Sequence, residues 1–141
     1  MKTDLVNGHL PASERDGLDQ QIIQLKEEIL KHQSRWIRFE LPDTHGIARS
    51  KIIPAHHVES FCRSGVNMYG GTLGLDVQSD VVPGTGYGEE IRYADHFLFP
   101  DYGTLSVVPW AAETARIICD PWFAEGKVCA AAPRPRTSAC F

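Results

Sequence analysis

Two short stretches hold residues that could bind or move charge. In Pro42-Asp43-Thr44-His45-Gly46 a carboxylate sits in a polar turn between two apolar-alternating runs. A carboxylate at such a tip can attract a cation and take a proton, work worth about 10²–10⁴ in rate when done as a general base. The same residue fits a purely architectural reading, because Asp in a Pro-Asp-x-x-Gly turn is favoured for bonding its own backbone. The second stretch, Gly84-Thr85-Gly86-Tyr87-Gly88, has the glycine content of a phosphate loop. No lysine follows it, and Glu89-Glu90 would repel phosphate, so it reads as a flexible polar loop.

Other candidates are weaker. His56-His57 looks like a metal pair, but adjacent helical residues point about 100° apart, whereas paired ligands on a helix favour i, i+4 spacing. Metal ligands are therefore assigned to none. Arg49 and Lys51 alternate along a strand beside the turn and read either as a solvated strand face or as contacts for an anionic substrate. Trp110, Trp122, Phe97 and Phe99 read as core or interface aromatics. Cys62, Cys119, Cys129 and Cys140 form no C-x-x-C pair and read as free thiols.

The elements that must position these residues follow from hydrophobic period. Residues 1–17 have no apolar period and form a lead. Over 18–33 the positions Leu18, Ile22, Leu25 and Ile29 recur at helical spacing, giving an amphipathic helix packed on the sheet that follows. From Arg35 the period changes to two: Ile37, Phe39 and Leu41 alternate with Arg38 and Glu40 as a half-buried strand, the turn at 42–46 breaks it, and 47–53 resumes it. Pro54 is placed at the first position of a helix carrying Val58, Phe61 and Cys62 on one side and stopped by Gly65. Further strands are expected at Val66 and Met68, 73–77, 96–99, 104–108 and 114–119. Mostly antiparallel strands with one helix after the first hairpin predict an α+β domain, most economically a β-grasp, ubiquitin-like sheet with a helix on one face and the amphipathic helix before it.

The net charge of −4 is scattered over 141 residues, which gives no footprint for nucleic acid. No run approaches the ~18 apolar residues of a membrane span, and the first residues lack the apolar stretch of a secretory signal. A cytoplasmic, reducing setting is expected.

Three blocks carry a family resemblance. Residues 36–58, WIRFELPDTHGIARSKIIPAHHV, resemble the first hairpin and helix start of class I glutamine synthetases; residues 98–120, LFPDYGTLSVVPWAAETARIICD, resemble the closing strands of the same domain. Residues 75–90, LDVQSDVVPGTGYGEE, are similar to the loop of the divergent glutamine-synthetase-like branch, which includes a vertebrate lens member. The resemblance implies that 34–134 is the amino-terminal β-grasp domain of such a protein. It also implies ATP-dependent ligation, in which glutamate is phosphorylated and ammonia or another amine attacks, with ATP and magnesium or manganese held by a separate catalytic domain.

By the same resemblance Asp43 is the catalytic candidate, binding ammonium or amine in a neighbouring subunit's site, and the partners are further copies or full-length family subunits in an oligomer. Where classical members place an acid-Gly-Ser-Ser segment, this chain has Tyr69-Gly70-Gly71-Thr72. A phenol cannot replace that carboxylate as a counter-charge near neutral pH. After Arg134, where the catalytic domain would be approached, 135–141 does not match the family. The chain is therefore expected to lack the catalytic domain and its cofactors, and to be inactive alone. A non-catalytic structural or assembly role, as for the lens member, is the alternative, and an independent ubiquitin-like adaptor is a third reading.

Overall fold

The computed structural model describes residues 17–123 and 129–134. Most of the expected lead, the tail at 135–141 and Cys140 lie outside them. The first helix, α1 (Leu18–Lys31), follows Gly17, and Leu18, Ile22, Leu25 and Ile29 are buried as their spacing predicts. It ends where Gln33 turns left-handed at φ 53°. Each of these aliphatic side chains contributes about 1.5–3 kcal/mol on burial, so the apolar row holds the helix. Its ion pairs to the next helix, Lys26–Glu59 at 3.1 Å and Asp19–Arg63 at 2.7 Å, are largely exposed. Such pairs are worth little in water. Lys26→Ala is therefore expected to change stability in a urea titration by under ~0.5 kcal/mol.

The hairpin is built from β1 (Trp36–Pro42) and β2 (Ala48–Pro54), antiparallel from Trp36↔Pro54 to Pro42↔Ala48. Its turn lies one residue later than expected, at 43–47. Pro54 is not the first helical residue. It closes β2 with φ −63° and ψ 137°, because proline's fixed φ suits an extended strand end as well as a helix start. A 3-10 turn (Ala55–His57) then leads into α2 (Val58–Ser64), which buries Val58 and Cys62. Gly65 ends α2 at φ 76°, where an added Cβ would lie 2.9 Å from the Phe97 Cβ; only glycine fits.

Among the described residues the sheet continues with β3 (Val66–Tyr69), β4 (Asp95–Pro100), β5 (Ser106–Val107) and β6 (Thr114–Trp122). The order is β2-β1-β6-β4-β3, with β5 pairing β6. The first half of β6 runs parallel to β1, and its second half runs antiparallel to β4. First and last strands parallel and adjacent, with a helix crossing after the opening hairpin, make this a β-grasp. Ile37, Phe39, Leu41, Leu98 and Ile117 share one core with the apolar row of α1 and with Val58 and Cys62 of α2.

Two expected strands are corrected. Residues 73–77 are not a strand: Gly70–Gly74 forms a buried 3-10 turn, and only an isolated bridge joins Leu75 to Val81. At Gly70 and Gly74 added side chains would strike Ala94 and Thr85, so the backbone packs closely against the 85–94 loop instead of pairing along its length. The strand expected at 104–108 shrinks to two residues because Asp101 caps a 3-10 turn (Tyr102–Thr104), its carboxylate accepting the Gly103 N–H at 3.2 Å.

Candidate functional site

The tip of the hairpin is organised by Asp43. Its Oδ1 accepts the backbone N–H of His45 and of Ile47, each at 2.9 Å. The backbone closes the same turn, Asp43 N–H donating to the Ile47 carbonyl at 2.9 Å and Gly46 N–H to the Asp43 carbonyl at 3.1 Å. Gly46 supplies the left-handed φ of 78° that the turn needs. Arg49 Nε donates to Asp43 Oδ2 at 3.0 Å, in a pair whose carboxylate side chain is 1% exposed. Burial acts to raise the Asp43 pKa. The bonds from Ile47, Arg49 and His45 and the Arg49 charge together outweigh it and hold the carboxyl below its ordinary range.

Arg49 is thus neither a solvated strand residue nor an open anion contact. Strand alternation alone assigned it to a face, but at the end of the hairpin it lies opposite Leu41, two residues from Asp43, and it bends to the buried carboxylate. Lys51 is exposed. Two contacts tie the tip to the loop after β3: Arg49 Nη1 donates to Ser79 Oγ at 2.9 Å, and His45 Nε2 donates to the Leu75 carbonyl at 3.0 Å. Sequence reasoning did not pick out Ser79. The segment at 69–72 leads into this loop, with the Tyr69 ring folded over Gly71 and stacked on Tyr93 at 6.4 Å.

The glycine loop takes its anion from the chain itself. Glu90 accepts the Gly88 N–H at 3.3 Å. Its own amide first, then those of Gly88, Gly86 and Gly84, outweigh desolvation and hold its carboxyl below its ordinary range. The His56 and His57 rings lie against each other with centroids 4.1 Å apart in the 3-10 turn, and among the described residues no group of three His, Cys, Asp or Glu could hold a metal ion. Cys62, Cys119 and Cys129 are free and buried. Burial pushes the Cys62 thiol up to about 12 and that of Cys119 well above its ordinary range, so neither is a nucleophile near neutral pH. Trp122 and Phe99 are core residues, Phe97 is half-buried, and Trp110 is exposed.

No family model matches the chain. It is 35% identical over 122 residues to lengsin of Canis lupus familiaris, covering 83% of this chain and 20% of that protein. It is 32% identical over 116 residues to the glutamate–isopropylamine ligase of Pseudomonas sp, covering 81% and 25%. The crystal structure of a novel glutamine synthase homolog superposes with a TM-score of 0.60 at 23% identity, over 71% of this chain and 24% of that one. The chain belongs to the glutamine synthetase family. It corresponds to the amino-terminal β-grasp domain of that family and spans a fifth to a quarter of the length of these curated relatives. Among the described residues no helix is long and apolar enough to cross a membrane.

Proposed function

We propose that this glutamine-synthetase-family domain lends its hairpin tip, residues 43–47, to the active site of a neighbouring subunit in an oligomer whose reaction joins an amine to glutamate at the expense of ATP. The observation that carries this reading is the kinship to a named glutamate–amine ligase over most of the chain, in which the resembling hairpin is a fixed, carboxylate-organised turn. ATP and magnesium or manganese belong to a catalytic domain in this reading, and the chain alone does no chemistry.

Asp43 enters as the residue that shapes the tip. Its carboxylate already holds two amides and a guanidinium, so an incoming ammonium would have to displace Arg49. That closure supports the second reading, a non-catalytic structural or assembly role such as the kinship to lengsin suggests. The test is to assay the chain for ATP- and glutamate-dependent amine ligation alone, then mixed with a full-length homologue inactivated at its own hairpin aspartate. No turnover alone and restored turnover in the mixture is the expected result. Turnover by the chain alone overturns the proposal, and a mixture that forms without restored turnover leaves the structural role.

A further inference from the structure

The tip at 43–47 has a twin. In Asp76-Val77-Gln78-Ser79-Asp80, Asp76 Oδ1 accepts the N–H of Gln78 at 2.8 Å and of Asp80 at 2.9 Å. The Asp76 N–H donates to the Asp80 carbonyl at 2.9 Å, and the Ser79 N–H to the Asp76 carbonyl at 3.0 Å. The two side-chain and two backbone bonds that close the Asp43 turn each have a counterpart at the same position. The fourth residue is left-handed in both, Gly46 at φ 78° and Ser79 at φ 70°.

Glycine adopts that conformation freely, whereas a residue with a Cβ pays about 1–2 kcal/mol for it. Serine at 79 needs a reason, and the Ser79 hydroxyl supplies one by accepting Arg49 Nη1 at 2.9 Å. The same guanidinium donates to Asp43 through Nε. On the other side of the tip, His45 gives its backbone N–H to Asp43 and its ring Nε2 to the carbonyl of Leu75, immediately before the second turn. Two crossings from separate residues thus bind one turn to the other.

We propose that Arg49 and Ser79 are positioning residues that lock the two turns into one element, so that the surface offered to a neighbouring subunit is the pair and not the hairpin alone. This rests on the reading of the hairpin tip as the functional end. The distinguishing variant is Ser79→Gly, which relaxes the left-handed residue while deleting the hydroxyl. If Ser79 served only its own turn, glycine would be neutral or stabilising. The lock instead requires that hydrogen exchange at the His45 and Ile47 amides speed up about five- to tenfold, as for loss of one solvent-exposed hydrogen bond, while the Gln78 and Asp80 amides stay protected. Ser79→Asn, which tolerates the left-handed region and keeps an acceptor, is expected to restore tip protection, and Arg49→Lys, with one nitrogen for two acceptors, to lose it. Unchanged tip exchange in Ser79→Gly overturns the lock. Uncoupled turns that still restore turnover in the mixed-subunit assay would leave the lock standing and remove the tip from the function.

Discussion

Asp43→Ala is expected to destabilise the chain by about 2–4 kcal/mol, and Asp43→Asn by about 1–2, in urea unfolding near neutral pH. Alanine leaves the His45 and Ile47 amides without their acceptor and strands the Arg49 guanidinium beside an emptied site. Removing one partner of a fully buried pair typically costs about 3–5 kcal/mol. The Arg49 side chain keeps 21% exposure and can turn toward water, which lowers the expectation. Asparagine retains an Oδ1 for the two amides and gives up only the charge across to Arg49. A purely catalytic aspartate behaves differently: its replacement leaves stability unchanged or improves it, because an unpaired buried charge has been removed. Equal midpoints for wild type and Asp43→Ala would show that the turn does not depend on this carboxylate.

The hairpin and α1 were legible because each rests on a local period, Ile37, Phe39 and Leu41 at two and Leu18 to Ile29 at helical spacing, and the β-grasp followed from a helix placed after the first hairpin. The relation between turns was not legible. Asp43 announces itself through Pro42 and Gly46, whereas the second turn has serine where glycine would be the signal, and its tie to the first runs through an arginine thirty residues earlier in sequence. The 73–77 segment failed for a related reason. Its alternating Leu73, Leu75 and Val77 look like a strand, but close approach at Gly70 and Gly74 is a tertiary demand that no pattern of apolar residues reveals.

The two stretches with apparent ligand chemistry share one property. The carboxylate at the hairpin tip holds Arg49, and the amides of the glycine loop act on Glu90, so in each a side chain of this chain supplies the charge that a ligand would bring. Such self-completion gives fixed shapes without bound substrate, as the role proposed for the hairpin tip requires. In the glycine loop this agrees with the absence of a lysine and the presence of Glu89-Glu90, which spoke against a phosphate site.

A pH titration of stability is expected to show a loss that begins as pH falls below about 6.5 and that disappears in His96→Leu. His96 lies in β4 at 1% exposure, and neither ring nitrogen has a hydrogen-bond partner among the described residues. Phe123 meets the ring edge-on at 4.5 Å and Tyr87 at 6.1 Å, with Cys129 Sγ donating to the Tyr87 hydroxyl at 3.5 Å. Burial lowers the His96 pKa, opposed by the neighbouring charge of Asp95. The unfolded chain therefore binds a proton that the folded chain refuses, and stability falls as pH drops through the unfolded value until the folded imidazole also protonates. The slope for one such group is at most about 1.4 kcal/mol per pH unit. Asp43 acts in a separate window: its lowered carboxyl contributes stability that is present above its ordinary value, about 3.9, and is lost as pH falls through the folded one. Urea midpoints at pH 7.5, 6.0 and 5.0 isolate the histidine. An identical decline in wild type and His96→Leu would rule His96 out as its source, while a flat His96→Leu series with wild type falling makes this buried ring the acid-sensitive point of the core.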